Sequence, residues 1–406
     1  MRIVKKYGGT SVADVDRINE VARQVSLDVA NGHQVVVVVS AMAGVTDQLA
    51  SFASSMSEGQ ETEEYDVVVS TGEQVTSGLL AMALSNLNIP SRSFLGWQVP
   101  IRTDSSHGKA RILSIDDSEL NGCLEQGIVP VVPGFQGINS HGRITTLGRG
   151  GSDTSAVALA AALNADRCDI CTDVEGVYTT DPRIVPQAKK LNKITYEEML
   201  EMASLGAKVL QTRSVELAMK HHVRLMVMSS FSDLPGTLVC DEDEIVEKEI
   251  VSGIAYSRDE AKLTVVGVED SPGVAALIFG SLADANINVD MIVQNISASN
   301  LTDVTFTVGR ADIEKAQVVL EDNNSILCRE VRTDMHMVKV SVIGVGMKSH
   351  VGVATTMFRT LAENGINIEV ISTSEIKVSV LISETFTELA LRSLHTAFGL
   401  DKASSQ

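Results

Sequence analysis

The chain has 406 residues, of which 44% are hydrophobic and 21% charged, with a net charge of −19. That length suggests two or three domains, and the composition is that of a globular chain rather than a disordered or fibrous one. The acidity, with a pI near 4.8, argues against a nucleic-acid footprint or an anionic membrane surface as partner, but it leaves room for local basic clefts that take small anions.

Five scattered cysteines do not make a disulfide framework, and they favour a reducing, cytoplasmic setting. Cys168 and Cys171 form a lone CxxC in an apolar segment and read as structural. The N-terminus runs into glycines rather than an apolar signal core, and no apolar run approaches the roughly 20 residues of a membrane span.

Taken in order, Arg2–Lys5 reads as a strand, followed by the turn Lys6-Tyr7-Gly8-Gly9-Thr10-Ser11 and a helix with apolar positions Val15, Ile18, Val21, Ala22 and Val25. A strand, a glycine turn and a helix can seat phosphates on backbone N–H groups, although no P-loop motif is present. Gln34–Val39 reads as a strand buried on both faces, as in a parallel sheet, ending at Ser40 to Asp47. The carboxyl end of such a strand is where open α/β sheets place ligands. Residues 57–64 read as an acidic solvated loop. Asp66–Val69 reads as a further strand, followed by Gly72-Glu73 and a helix from Gln74 to Leu84. Glu73 is either an ordinary first-turn acid or a partner for a substrate ammonium.

The central stretch is Leu147-Gly148-Arg149-Gly150-Gly151-Ser152-Asp153, placed before the apolar run Ala156–Leu163. The expectation is a helix N-terminus capped by Ser152 or Asp153, attractive to anions, with the Arg149 fork suited to a carboxylate or phosphate. A plain capped helix after a glycine turn is the alternative. Cys168–Thr172 reads as a strand leading through Asp173 into Tyr178–Arg183. There an aromatic and an arginine either flank a nucleotide or merely decorate a proline turn. Ile194–Leu210 reads as helical, and Arg224–Ser229 as a closing strand. An acidic linker follows, and then an internal repeat: Gly273-Val274-Ala275, Phe279, Leu282 and Ile287-Asn288 return as Gly352-Val353-Ala354, Phe358, Leu361 and Ile366-Asn367, a constant 79 residues later. Each copy has the element order of a ferredoxin-like βαββαβ unit.

Together these motifs resemble the aspartate kinases of the amino-acid kinase family, with tandem ACT regulatory domains, over nearly the whole chain. The resemblance implies an α/β fold: an open, mainly parallel sheet with helices on both faces (residues 1–240), a linker (241–260) and two ferredoxin-like ACT domains (261–335 and 336–406). It leaves open whether C-terminal strands complete the first ACT unit. The reaction implied is MgATP-dependent phosphorylation of the L-aspartate side chain to 4-phospho-L-aspartate, the first step of lysine, threonine and methionine biosynthesis. Such chemistry needs alignment and charge neutralisation rather than a catalytic His or Cys.

By the same resemblance, Lys6, Arg149 and Asp153 are catalytic. Lys6, Tyr7, Gly8, Gly9, Ser40, Thr172, Asp173, Tyr178, Asp181, Arg183 and Lys208 bind ATP. Thr46, Glu73, Arg149, Gly150, Gly151, Ser152 and Asp153 bind aspartate. Mg²⁺ is held by phosphate oxygens and water, without a dedicated protein cage. The ACT pair implies feedback inhibition by lysine, threonine or both, at Asp270, Gly273, Val274, Ala275, Asn288, Asp290 and Gln294 in the first unit. In the second unit the positions are Val353, Asn367, Ile368, Ser374 and Glu375. It also implies a homodimer through the ACT domains and, in one family variant, a separate small regulatory subunit. No Met lies between Met228 and Met291 to start such a subunit with an ATG codon. His350-Val351-Gly352 departs from the more usual proline before that glycine, which bears on effector preference. Two other readings are a relative acting on glutamate or acetylglutamate, and a non-catalytic amino-acid sensor.

Overall fold

A computed structural model describes residues 1–56, 62–205, 209–245, 249–296, 301–323 and 325–402. The chain divides into two units: Met1–Val177, Lys190–Ser204 and Lys208–Glu247 make the first, and Tyr178–Lys189, Leu205–Ala207 and Lys248–Gln406 the second. Residues 178–189, expected within the 1–240 domain, therefore group with the second unit.

In the first unit the described residues form an eight-stranded sheet. Its spatial order is Lys193–Thr195, Thr237–Cys240, Leu225–Ser229, Arg167–Thr172, Arg2–Tyr7, Gln34–Val39, Val129–Pro133 and Ser91–Ser93. Neighbours run parallel except Leu225–Ser229 against Thr237–Cys240. Val35 to Val39 are buried without a break, because helices cover both faces of a parallel sheet and leave no side of the strand wet. Helix Val15–Ala30 buries Ile18, Val21, Ala22 and Val25, and Asp14 caps it by accepting from the Arg17 N–H at 2.8 Å. Val15, expected on the buried stripe, is exposed. A smaller four-stranded sheet, in the order Ile112–Ile115, Ile101–Thr103, Gln136–Ile138 and Ile144–Thr146, lies in the same unit.

The strand expected at Asp66–Val69 is instead part of helix Glu63–Val69. Thr62 caps it by accepting from the Tyr65 N–H at 3.3 Å. The buried carboxylate of Asp66 pins its inner face, so tertiary contacts override the strand preference of the valine run. Glu63 and Glu64, expected in a loop, open this helix; residues 57–61 of that stretch lie outside the described residues. The following helix, Thr71–Asn86, carries Glu73 in its first turn. The stretch Glu63–Asn86, spanning both helices, has the length and composition of a membrane crossing, but 56% of its apolar window is buried inside the protein, as in a core helix. The segment read as one helix over Ile194–Leu210 is a strand end followed by helix Tyr196–Ser204, with a separate helix Thr212–His221 beyond it.

The second unit holds a six-stranded antiparallel sheet in the order Val289–Ile296, Leu301–Val308, Gly253–Glu269, Glu330–Ile343, Lys377–Ser383 and Val370–Thr373. The repeat is visible in the backbone: Gly273 and Gly352 cap helices Val274–Asp284 and Val353–Glu363 with φ of 102° and 101°. One apolar cluster is built around Leu263, Ile278 and Phe306, and another around Val340, Met357 and Leu391. No strand follows the last helix, Thr387–Ala397, among the described residues, so none is available there to complete the first repeat. Completion runs the other way. Gly253–Ser257, expected in the linker, pairs with Lys339–Ile343 and supplies the strand that the second repeat lacks. Residues 178–189 pack on this same repeat. Val185 joins its core, the Ile254 N–H donates to the Thr179 carbonyl at 2.7 Å, and Arg392 Nε donates to the Ile184 carbonyl at 3.1 Å.

Candidate active site

Because strands Arg2–Tyr7, Gln34–Val39, Val129–Pro133, Arg167–Thr172 and Leu225–Ser229 are mutually parallel, their carboxyl ends share one edge. Chain connection reverses beside Arg2–Tyr7, whose neighbours are the second strand on one side and Arg167–Thr172 on the other; such a switch point opens a crevice. Backbone bonds hold the loops there in register. Gly8 N–H donates to Cys171 O at 3.1 Å, Ser40 N–H to Tyr7 O at 3.1 Å, Gly134 N–H to Val39 O at 2.9 Å and Ser230 N–H to Thr172 O at 2.8 Å.

Lys6, at the end of the first strand, meets Asp153 in the first turn of helix Gly151–Ala162. Lys6 Nζ lies 2.6 Å from Asp153 Oδ1, with side chains 11% and 10% exposed. The cap of that helix is Gly150, at φ 72°, with no side-chain cap bond, so neither Ser152 nor Asp153 serves as the expected cap. The left-handed turn ends with Gly151 N–H donating to Gly148 O at 2.9 Å. A helix start without a side-chain cap, beside a lysine, suits an anion. Two close approaches require glycine. A Cβ on Gly150 would stand 2.0 Å from Gln211 Cγ, and one on Gly134 would stand 2.8 Å from Ser152. The second contact seats Ser152 against the loop that follows Val129–Pro133.

Glu73 is 3% exposed. Its Oε1 accepts from the Ala41 N–H at 3.1 Å, and its Oε2 has no partner. Burial pushes its carboxyl up to about 7, against the opposing pull of the Ala41 N–H. A buried carboxylate with one oxygen unsatisfied is a ready acceptor for an ammonium group. Ala41 in turn borders Gly9, where an added Cβ would meet Ala41 O at 3.1 Å. The structure therefore brings Lys6, Gly8, Gly9, Ser40, Glu73 and Asp153, from a strand end, loops and first helical turns, to one sheet edge.

Other expected residues fare differently. Arg149 is exposed and Thr46 half-buried in the helix after the second strand. Thr172 Oγ1 donates to Asp173 Oδ1 at 3.1 Å, and Asp173 is exposed. The Tyr7 side chain is fully buried in the sheet core, so only its backbone can face a ligand. Lys208 lies outside the described residues. Tyr178, Asp181 and Arg183 belong to the second unit, where Arg183 Nε and Nη2 donate to Asp181 at 3.0 and 2.8 Å and Tyr256 Oη donates to Asp181 at 3.2 Å.

In the same unit, Asp290 accepts from Lys339 Nζ at 2.7 Å, Asn367 Nδ2 donates to Glu369 at 2.9 Å and the Ser374 N–H donates to Lys377 O at 2.8 Å. Val353 and Ile368 pack in the core, while Asp270, Gly273, Ala275, Asn288, Gln294 and Glu375 are exposed and Val274 half-buried. Sequence reasoning missed Asp66, Thr146 and Arg213, which surround the Arg149 turn; no local pattern marks them.

Among the described residues no group of three or more His, Cys, Asp or Glu could hold a metal ion.

The amino acid kinase family profile matches residues 1–229, and the ACT domain profile matches 263–323 and 340–398. The chain is 58% identical over 406 residues to an aspartate kinase of Pseudomonas putida, covering 100% of this chain and 99% of that one. It is 49% identical over 406 residues to an aspartokinase of Helicobacter pylori, covering 99% and 100%. Among solved structures, Escherichia coli aspartokinase III in complex with aspartate and ADP, in its R-state, superposes with a TM-score of 0.81 at 29% identity over 98% of this chain and 99% of that one. The same enzyme in complex with lysine and aspartate, in its T-state, gives 0.75 at 29% identity, covering 98% and 99%.

Proposed function

The chain belongs to the amino acid kinase family, as an aspartate kinase carrying ACT domains, and from this we propose that it transfers the γ-phosphoryl group of MgATP to the side-chain carboxylate of L-aspartate. The product is 4-phospho-L-aspartate, formed in the first step toward lysine, threonine and methionine. The observation that carries this reading is Lys6 ion-paired with Asp153 at the start of helix Gly151–Ala162. Aspartate and nucleotide bound in E. coli aspartokinase III support it.

The nucleophile is a carboxylate, already ionised at neutral pH, so no general base is needed. The barrier lies in bringing it against a polyanion. Lys6, with the Gly8 and Gly9 backbone, stabilises charge on the transferring phosphoryl group. Ser40, Thr172 and Asp173 line the nucleotide side. Tyr178, Asp181, Arg183 and Lys208 are assigned to ATP on the resemblance alone. Mg²⁺ supplies charge neutralisation on the phosphates. On the aspartate side, Arg149 pairs with the α-carboxylate, Glu73 and Asp153 take up the ammonium, and Thr46 and Gly150–Ser152 complete the contact.

The ACT repeats bind lysine, threonine or both, and lower activity by favouring an inactive arrangement. Lysine bound in E. coli aspartokinase III supports lysine as one effector. A homodimer through the ACT domains and a cytoplasmic location follow from the same reading. The test is nucleotide-dependent acyl-hydroxamate formation. Aspartate is expected to react and glutamate not, and lysine or threonine, singly or together, to inhibit. Asp270→Ala is expected to relieve that inhibition while leaving uninhibited turnover in place.

A further inference from the structure

We propose that Arg213 and Asp66 are positioning residues that hold the turn bearing Arg149 in place for the aspartate α-carboxylate. This rests on the pairing of Arg149 with that carboxylate. Arg149 sits between two glycines in the left-handed region, Gly148 at φ 77° and Gly150 at φ 72°. Its side chain is exposed. An exposed arginine on a glycine turn is only as well aimed as the contacts that fix its backbone.

Arg213 lies in the first turn of helix Thr212–His221. Its Nη1 donates to Leu147 O at 2.8 Å and its Nη2 to Ala110 O at 2.7 Å. One guanidinium fork thus ties two separate loops through their backbone. Two residues earlier, Gln211 packs so closely on Gly150 that no Cβ could fit between them.

Asp66 holds the same pair of loops from helix Glu63–Val69. Its side chain is 0% exposed. Thr146 Oγ1 donates to its Oδ1 at 2.5 Å, the Gly108 N–H donates to Oδ1 and Oδ2 at 3.1 and 3.2 Å, and His107 Nδ1 lies 2.6 Å from Oδ2. The Ala110 N–H donates to Thr146 O at 2.9 Å. The loops also touch directly, since a Cβ on Gly148 would meet Gly108 O at 3.1 Å.

Asp66 is sealed from substrate, and Nη1 and Nη2 of Arg213 both bond backbone carbonyls. Both residues therefore act through the turn. Lys6, Gly8 and Gly9, on the phosphate side, hang from a different strand. Loosening the clamp should consequently weaken aspartate selectively, because small misplacements of a positioning group cost large factors in rate and binding.

The test is steady-state kinetics of the full-length enzyme with aspartate and MgATP. Arg213→Lys replaces a fork with a single ammonium that cannot bridge both carbonyls. Thr146→Val removes one donor to Asp66 at similar volume and serves as the second variant should the first fold poorly. Each is expected to raise KM for aspartate about tenfold and to leave KM for ATP within about twofold. In an Arg149→Ala background, Arg213→Lys is expected to add less to KM for aspartate than it does alone, because the clamp acts chiefly through the residue already removed. Equal rises in both KM values, no rise in either, or a full additive effect in the double variant would overturn the proposal. If Arg149→Ala alone leaves KM for aspartate unchanged, the Arg149 assignment falls and the clamp's function with it. If Arg149→Ala raises it and the clamp variants do not, the clamp alone falls.

Discussion

Lys6 Nζ stands 2.6 Å from Asp153 Oδ1, joining the first strand of the sheet to the first turn of a helix that begins about 150 residues later. The cation is thereby fixed before any substrate arrives, which is the preorganisation that charge-stabilising catalysis requires. Lys6→Ala is expected to lower kcat by about 10²–10³-fold, the range for losing one preorganised donor. The circular dichroism spectrum should stay unchanged. Wild-type turnover in this variant would remove Lys6 from the reaction.

Glu73 supplies a pH dependence. Burial holds its carboxyl up to about 7, and an ammonium beside it favours the ionised form. Aspartate binding should therefore expel a proton below pH 7 and strengthen as pH rises, levelling off above. At pH 6 apparent affinity should be about tenfold below its plateau, since roughly one molecule in ten is ionised. In the free protein the sign is opposite. A raised carboxyl favours the folded state fully below the unfolded value of 4.5, and that contribution is lost as pH climbs through about 7. Calorimetric titration in buffers of differing ionisation enthalpy reads the proton release, and Glu73→Gln should abolish it.

Gly150 offers a geometric check. Gly150→Ala forces a side chain into φ 72° and against Gln211, where Gly32→Ala meets a similar φ of 79° in open space. The strain alone costs about 1–2 kcal/mol, so Gly32→Ala measures it. Gly150→Ala should destabilise the protein further and also raise KM for aspartate. Equal thermal shifts for the two variants would show that the Gln211 contact gives way freely.

In the second unit, Lys339 and Glu260 are 7% and 8% exposed and ion-paired, with Asp290 as the outer partner at 62% exposure. Lys339→Met strands a buried carboxylate and should cost about 3–5 kcal/mol, whereas Asp290→Asn removes only an exposed partner and should cost under about 1 kcal/mol. Denaturant titration compares them. A large loss for Asp290→Asn would make Asp290 a structural residue.

The sequence by itself determined what depends on short-range pattern. The valine run 35–39 marked a buried parallel strand, the glycines after Lys6 marked the crevice, and the 79-residue offset from Gly273 to Gly352 announced twin helix starts with matching backbone angles. What only the tertiary structure decided concerns partners far apart in the chain. The valines after Asp66 read as strand, and became helix because a buried carboxylate needed donors from residues 107, 108 and 146. The resemblance assigns Tyr7 to the nucleotide; its side chain lies in the core because strand alternation turns it inward under helices, which leaves its backbone beside the glycines. Gly253–Ser257 read as linker, and became the missing strand of a repeat whose partner begins at Lys339. Propensity and motif act over a few residues, while burial and hydrogen-bond satisfaction act across the whole unit, and where they conflicted the second prevailed.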